Sequence, residues 1–125
     1  MKSEKYTRGL EIRRAVMSPA FVDKAFADAD DFSLPMQDLA TEYCWGEIWG
    51  NDALPHKTRS IINLAILSAL GRSQELKGHV RGALRNGCTK AEIQAVLLQV
   101  TVYCGMPASM EAFRVAKEVL KEADL

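Results

Sequence analysis

The chain has 125 residues, 48% of them hydrophobic and 26% charged, and its sixteen basic and sixteen acidic side chains give a formal net charge of zero. This length and composition fit one globular domain, residues 1–125, while the neutral charge disfavours bulk nucleic-acid or membrane-surface binding. No apolar run reaches the roughly 18 residues of a membrane span, and three widely spaced cysteines without a CxxC pair indicate neither a disulfide framework nor a zinc site. We therefore expect a protein of the reducing cytoplasm.

The first half of the chain is predicted to form three helices. The first covers Glu4–Val16 and carries a narrow apolar stripe among many charges. The pair Ser18–Pro19 is typical of a helix start, and the second helix ends in the acidic segment Asp28–Asp31. A third helix is predicted over Ser33–Trp49, with its first serine as the cap.

The third helix carries a candidate catalytic carboxylate, Glu47. At about 100° per residue, Trp45 and Trp49 share one face, and Glu47 lies on the other among small and apolar neighbours. We interpret the two tryptophans as packing residues. Two interpretations of Glu47 stay open: a boundary carboxylate paired with a nearby Arg or Lys, or a pocket carboxylate with a perturbed pKa.

A fourth helix is predicted over Pro55–Leu70. From Ile61 onward its sides are apolar except at Asn63 and Ser68, which is typical of a helix at the centre of a bundle or covered by another subunit. Arg59 lies near the start of this helix, where the helix dipole disfavours a cation. An acidic partner or an anionic ligand would suit it.

A short fifth helix is predicted between Gly71 and Gly87, with Ser73 as its cap and Gly87 in a left-handed C-terminal turn. The helix and its flanks are locally basic, which indicates an anionic partner or a solvated basic face. The cations are Arg72, Lys77, Arg81, Arg85 and Lys90.

His79, one of two histidines, lies near the middle of this fifth helix. It shares a face with Glu75 and Asn86, and with a glycine and an alanine that leave open space beside the imidazole. It is either a core histidine satisfied by one of those two polar residues or a pocket residue that a ligand approaches. Arg81 and Arg85 project from the opposite face, so they would serve the solvent or a neighbouring subunit's site.

Two further helices complete an all-α chain of seven helices without a predicted strand. The segment Thr89–Glu92 is a capping box that opens the sixth helix, Gly105 closes it, and the last helix begins near Pro107. The fourth and sixth helices are apolar on nearly all sides. Because 125 residues cannot cover both, we expect a homo-oligomer.

Four collinear segments resemble the carboxymuconolactone decarboxylase family, and most strongly its 4-carboxymuconolactone decarboxylases of protocatechuate breakdown. The resemblance implies an alkylhydroperoxidase-D-like helical bundle, a ring-like hexamer, no cofactor, and loss of CO₂ from 4-carboxymuconolactone to give 3-oxoadipate enol-lactone. The segments are Tyr-Cys-Trp-Gly-Glu-Ile-Trp (43–49), residues 54–70 with Thr-Arg-Ser (58–60), Gly-His-Val-Arg-Gly-Ala-Leu-Arg-Asn-Gly (78–87) and Val-Tyr-Cys-Gly-Met-Pro-Ala (102–108).

The resemblance also implies that the candidate residues form a binding site for a small anionic lactone. His79 is expected to be the proton donor or the donor to the enolate oxygen, and Glu47 to orient it or to act as the acid itself. Arg59 is expected to anchor a carboxylate, with Arg85 or Arg81 contributing from a neighbouring subunit. Two alternatives remain: another lyase or isomerase on this scaffold, and a non-catalytic oligomeric binding protein.

The chain departs from the thiol peroxidases of the wider superfamily, in which a CxxC pair is followed four residues later by the histidine. The two cysteine positions hold Arg72 and Glu75 here, and the acidic position twelve residues before the first cysteine holds Ser60. Neither a guanidinium nor a carboxylate performs thiol–disulfide exchange. We therefore expect no thiol peroxidase activity.

Overall fold

The structure is a computed structural model that describes residues 1–125, and it confirms the prediction of seven helices without a strand. Its contacts divide the chain into an N-terminal unit, Met1–Pro55, and a C-terminal unit, His56–Leu125. None of its helices combines the length and the apolar character needed to cross a membrane. The helices are α1 (Glu4–Met17), α2 (Pro19–Ala27), α3 (Leu34–Leu39) with a π-helical continuation (Ala40–Ile48), α4 (His56–Leu70), α5 (Ser73–Arg85), α6 (Lys90–Cys104) and α7 (Met106–Glu122).

In the N-terminal unit, α1 packs against the π-helical segment at unusually short range. Gly9 and Gly46 are both buried, and a Cβ on either would overlap backbone atoms of the opposing helix. Trp45 and Trp49 are buried with their ring centroids 4.7 Å apart, which confirms their prediction as packing residues. The core of this unit consists of Ile12, Val16, Met17, Val22, Trp45 and Trp49.

The third helix is the element whose local geometry departs from the prediction. Its second part is a π-helix, shown by the Trp49 N–H that donates to the Cys44 carbonyl five residues earlier at 2.9 Å. The wider turn changes the direction of each side chain relative to an ideal α-helix. Ser33 does not cap this helix. Its hydroxyl instead donates to the Asp30 carboxylate at 3.1 Å and so closes the preceding turn.

Helix ends elsewhere follow the predicted signals in most places. Ser18 accepts from the Phe21 N–H at the start of α2, the capping box Thr89–Glu92 is complete at the start of α6, and Gly87 has φ +93° after α5. Ser73 is the exception. Arg72 occupies the N-cap position of α5, and the Ser73 hydroxyl donates to Glu111 on α7 at 2.6 Å. The predicted cap is therefore wrong, because a residue on another helix binds that hydroxyl.

In the C-terminal unit, α4 packs against α5, α6 and α7, and one side of it remains uncovered. Its centre is fully buried at Leu64, and the rest of the core is drawn from α5, α6 and α7. Several large apolar side chains of this unit nevertheless remain exposed: Ile62, Ile66, Leu70, Leu98, Val102, Tyr103, Met106 and Met110.

Candidate functional site

The candidate site of the C-terminal unit is built on the seam between α4 and α5. His79, half-buried on α5, faces Asn63 on α4, with the Asn63 amide nitrogen 3.5 Å from the His79 Nδ1 atom. An amide N–H can only donate, so this contact suits the tautomer in which Nδ1 accepts and the imidazole proton is on Nε2. His79 is therefore held by a neighbouring helix. Two partners were expected for His79, Glu75 and Asn86. Of these, Asn86 bonds to other residues.

A second polar pair closes the same seam at its other end. The Asn86 amide donates to the Ser60 hydroxyl at 2.9 Å and to the His56 carbonyl oxygen at 3.4 Å. Ser60 is fully buried, so this bond satisfies a hydroxyl that would otherwise be costly inside the unit. The end of α5 is thereby fixed against the first turn of α4, which also fixes the distance from α4 to His79.

Arg59 lies next to this seam. It is half-buried and comes four residues before Asn63 on α4, so the two side chains lie on the same strip of the helix. The structure therefore brings Arg59 to the helix strip that contacts His79. Of the five predicted site residues, Arg59 and His79 belong to one local arrangement within the C-terminal unit.

The opposite face of α5 is neutralised by α7. Arg81 forms a bidentate pair with Glu122, with N–O distances of 3.0 and 3.1 Å, and Lys77 pairs with Glu118 at 3.3 Å. Lys77 and Arg81, two of the five cations of the basic segment, are thus paired with acids inside the C-terminal unit. Arg81 lies away from the α4 side of α5, as predicted, and Arg85 is exposed near the end of the same helix.

Glu47 lies on the N-terminal unit and is exposed. Its carboxylate forms an ion pair with Lys5 of α1, and both side chains remain about half accessible to solvent. This is the pairing of the first interpretation, a boundary carboxylate with a lysine partner. Such exposed pairs contribute little to stability, so the contact does not fix Glu47 strongly.

Burial determines the protonation of His79. Desolvation lowers the pKa of its imidazole below the usual 6.5, and the negative charge of Glu75 opposes this only in part. A lowered pKa favours the neutral form of the imidazole at pH 7. A neutral imidazole in this state can donate a hydrogen bond to an oxygen that gains negative charge.

Sequence reasoning missed Asn63 and Ser60 as members of this site. Asn63 interrupts the apolar run that begins at Ile61, and that interruption is the signal that marks it, whereas Ser60 ends the polar start of α4 and has no such signal. Cys88 is buried, and desolvation first, then Glu92, raises the pKa of its thiol, which makes it a poor nucleophile. No three His, Cys, Asp or Glu side chains lie together in an arrangement that could hold a metal ion.

Comparison with known proteins matches the chain to two named decarboxylases. It is 38% identical to 4-carboxymuconolactone decarboxylase from Acinetobacter baylyi over 95% of this chain and 89% of that protein. It is 34% identical to nitrosuccinic acid decarboxylase from Metarhizium robertsii, over 94% of this chain and 82% of that protein. An uncharacterised 15.0 kDa protein of Paracoccus denitrificans shares 32% identity over 66% of the chain and 63% of its own length.

The family model for carboxymuconolactone decarboxylases matches residues 35–118. That match spans the π-helical segment, the whole of α4 and α5 with their polar seam, and most of α7. The matched decarboxylases also cover nearly the full chain, and their names support a carboxy-lyase. The chain belongs to the carboxymuconolactone decarboxylase family.

Proposed function

We propose that this chain decarboxylates 4-carboxymuconolactone to 3-oxoadipate enol-lactone without a cofactor, as a step of protocatechuate breakdown by the β-ketoadipate route in the cytoplasm. The observation that carries the proposal is the 38% identity, over 95% of the chain, with a protein named for that activity. The seam of α4 and α5 supports it, because it places a neutral histidine and an arginine on adjoining strips of two helices.

The chemistry of the substrate explains why few protein groups suffice. When the C–C bond to the leaving carboxylate breaks, its electron pair flows through the ring alkene to the lactone carbonyl and forms a dienolate. CO₂ leaves, and a proton is then added to the ring carbon next to the carbonyl. The substrate is its own electron sink, so the protein must bind it, stabilise the enolate oxygen and deliver one proton.

His79 is proposed to donate its Nε2–H to the developing enolate oxygen. Asn63 donates to Nδ1 and so holds the tautomer that this role requires. Because desolvation keeps the imidazole neutral, it donates to the enolate oxygen as a neutral group. This hydrogen bond strengthens only as negative charge develops on that oxygen, so it favours the transition state over the bound substrate. Asn63 acts through His79 and is a positioning residue.

Arg59 is proposed to bind the acetate arm of the lactone, since a guanidinium pairs with a carboxylate through two parallel hydrogen bonds. The leaving carboxylate should lie in a less neutralised place, because pairing it would stabilise the ground state. Arg85, with Arg81, is proposed to add positive charge from a neighbouring subunit. For Arg81 this requires giving up the pair with Glu122. Glu47 stays a proposed proton donor.

The homo-oligomer, proposed as a ring-like hexamer of the alkylhydroperoxidase-D type, is supported by the exposed apolar surface of the C-terminal unit. Tyr103 is 81% exposed and Val102 is 79% exposed, and Leu98 lies one turn before Val102 on α6. Patches of this kind on a small chain are typical of subunit interfaces.

A second candidate substrate follows from the relative named nitrosuccinic acid decarboxylase, which is 34% identical to this chain. In nitrosuccinate the nitro group can accept the electron pair that the departing CO₂ leaves behind. The requirements resemble those of the lactone: a cation for the second carboxylate and a donor for the charged oxygen. The Arg59 and His79 arrangement therefore suits both substrates.

The test follows the ultraviolet absorbance of synthetic 4-carboxymuconolactone with purified protein, and in parallel the turnover of nitrosuccinate. We expect the lactone to be consumed with kcat/KM in the ordinary enzymatic range of about 10⁴–10⁸ M⁻¹s⁻¹, well above that for nitrosuccinate. A clear preference for nitrosuccinate would transfer the proposal to the second candidate. Turnover of neither would favour another lyase or a non-catalytic binding protein.

A further inference from the structure

A groove with an apolar floor and a basic rim lies between α6 and α7 in the C-terminal unit. Its volume is about 890 Å³, and its floor includes Leu97, Met110 and Phe113. Lys117 and Lys121, one turn apart on α7, line its edge. An apolar surface of this size with cations at its border fits a partner segment that carries a large apolar side chain next to an acid.

The two rim lysines have no acidic partner on their own helix. The neighbouring acids of α7 are engaged elsewhere, since Glu118 pairs with Lys77 and Arg114, and Glu122 pairs with Arg81. Lys117 and Lys121 make no ion pair in this structure. The groove edge is therefore positive where the floor is most apolar.

The acidic turn at residues 28–33 of the N-terminal unit carries the complementary features. Asp30 accepts from the backbone N–H groups of Phe32 and Ser33 at 3.1 and 2.9 Å, which fixes the turn. Phe32 is nevertheless 93% exposed, and the adjacent Asp31 makes no ion pair. A rigid turn that presents an aromatic side chain to solvent is suited to be an interface anchor, because little conformational entropy is lost on binding.

We infer that the acidic turn of one copy docks in the α6–α7 groove of a second copy. Phe32 fills the apolar floor, where it meets an aromatic ring and a methionine sulfur, and Asp31 pairs with Lys117 and Lys121. The second copy is the occupant because this chain itself supplies an acidic, aromatic segment that matches the groove in charge and chemistry. The inference rests on the proposed homo-oligomer, and its test measures the mass of the assembly rather than lactone turnover.

This contact joins two different surfaces and is heterologous. A heterologous contact repeated around a rotation axis closes into a ring, and otherwise it continues as a filament. Each copy then uses its turn once and its groove once. The contact therefore predicts that every subunit has two neighbours, and it gives the proposed ring-like assembly a specific pair of surfaces.

The test uses two variants with opposite defects. Asp31→Lys places a cation opposite the basic rim, and Lys117→Glu with Lys121→Glu places acids opposite the acidic turn. Each variant alone is expected to sediment with a mass several-fold below that of the parent, toward the 13.8 kDa chain. Mixing the two should restore the parental mass, because each altered turn meets a groove of opposite charge when the two variants alternate.

Phe32→Ser supplies an uncharged version of the same test, with Phe21→Ser as its matched control on the exposed surface of the same unit. We expect the first substitution to lower the assembly mass at micromolar concentration and the second to leave it unchanged, with helical circular dichroism retained in both. A parent that is monomeric, charge variants that keep the parental mass, or a mixture that is not restored would each overturn the inference. Lactone turnover is measured separately, so failure of the contact and failure of the reaction are distinguishable.

Discussion

His79 is the residue on which the proposed chemistry depends. We expect His79→Asn to lower kcat by about 10²–10³-fold, the usual cost of losing a donor to a developing oxyanion, while the fold is retained. The other histidine provides the control, since His56→Asn should stay within a few-fold of the parent. Steady-state kinetics with 4-carboxymuconolactone measure both. A near-normal kcat in folded His79→Asn would make this residue a core histidine and leave Glu47 as the leading acid.

Asn63 is expected to control which nitrogen of His79 carries the proton. Asn63→Asp replaces the donor by an acceptor, so Nδ1 becomes protonated and the pKa of His79 rises. Activity of this variant should fall as the pH rises through that pKa, because the deprotonated ring then lacks a proton on Nε2, whereas the parent should not show this loss. Nitrogen-15 NMR of the imidazole checks the tautomer directly. An Nδ1 atom already protonated in the parent at pH 8 would contradict the assignment.

His79 should also make stability depend on pH. Desolvation lowers its pKa in the folded chain below 6.5, so at lower pH the unfolded chain binds a proton that the folded chain resists. Its contribution is complete above pH 6.5 and is lost as the pH falls toward the folded pKa. Urea unfolding at pH 7.5 and 5.5 should show a larger decrease for the parent than for His79→Asn. Equal decreases would exclude His79 as the source.

At the scale of the elements, the contact between α1 and the π-helical segment depends on two glycines. A Cβ at Gly46 would overlap the backbone of Lys5, and neither helix can yield without losing its packing. We expect Gly46→Ala to lower the free energy of unfolding by about 1–3 kcal/mol or more. Tyr43→Ala, at an exposed position on the same segment, should change it by less than about 0.5 kcal/mol. Chemical denaturation compares the two, and equal effects would contradict this account of the interface.

The helix ends show which features can be predicted from sequence. Thr89 with Glu92 and Gly87 act through atoms within a few residues, so their signals are sufficient. Ser73 has the same type of side chain as a good cap, but Glu111 on α7 binds its hydroxyl. A capping rule that considers only neighbouring residues cannot detect a competing partner 38 residues away in the chain.

The candidate site was predictable to a similar extent. His79 and Arg59 could be selected by residue type, by position on their helices and by family resemblance. The pairing of Asn63 with His79 depends on how α4 and α5 pack, and the pairing of Arg81 with Glu122 depends on α7. The π-helical turn, in which the Trp49 N–H bonds five residues back to Cys44, has no simple sequence signal, so sequence periodicity alone predicts an ideal helix around Glu47.

At the scale of the whole molecule, the chain combines a family match over residues 35–118 with apolar surfaces that it leaves exposed. The helices of the C-terminal unit bury one core among them, but 125 residues do not supply enough chain to cover the outer faces of α4 and α6 as well. The proposed assembly and the proposed reaction each have their own test.

The measurement that tests the central claim most directly is the reaction of 4-carboxymuconolactone with purified protein in deuterated water without added cofactor. The proposed mechanism predicts one CO₂ per lactone consumed and one deuterium in the early product, at the ring carbon next to the carbonyl, as NMR would show. The His79→Asn variant should form the same product far more slowly. Absence of CO₂ release, or deuterium at another carbon, would contradict the claim that the lactone carbonyl receives the electrons of the broken bond.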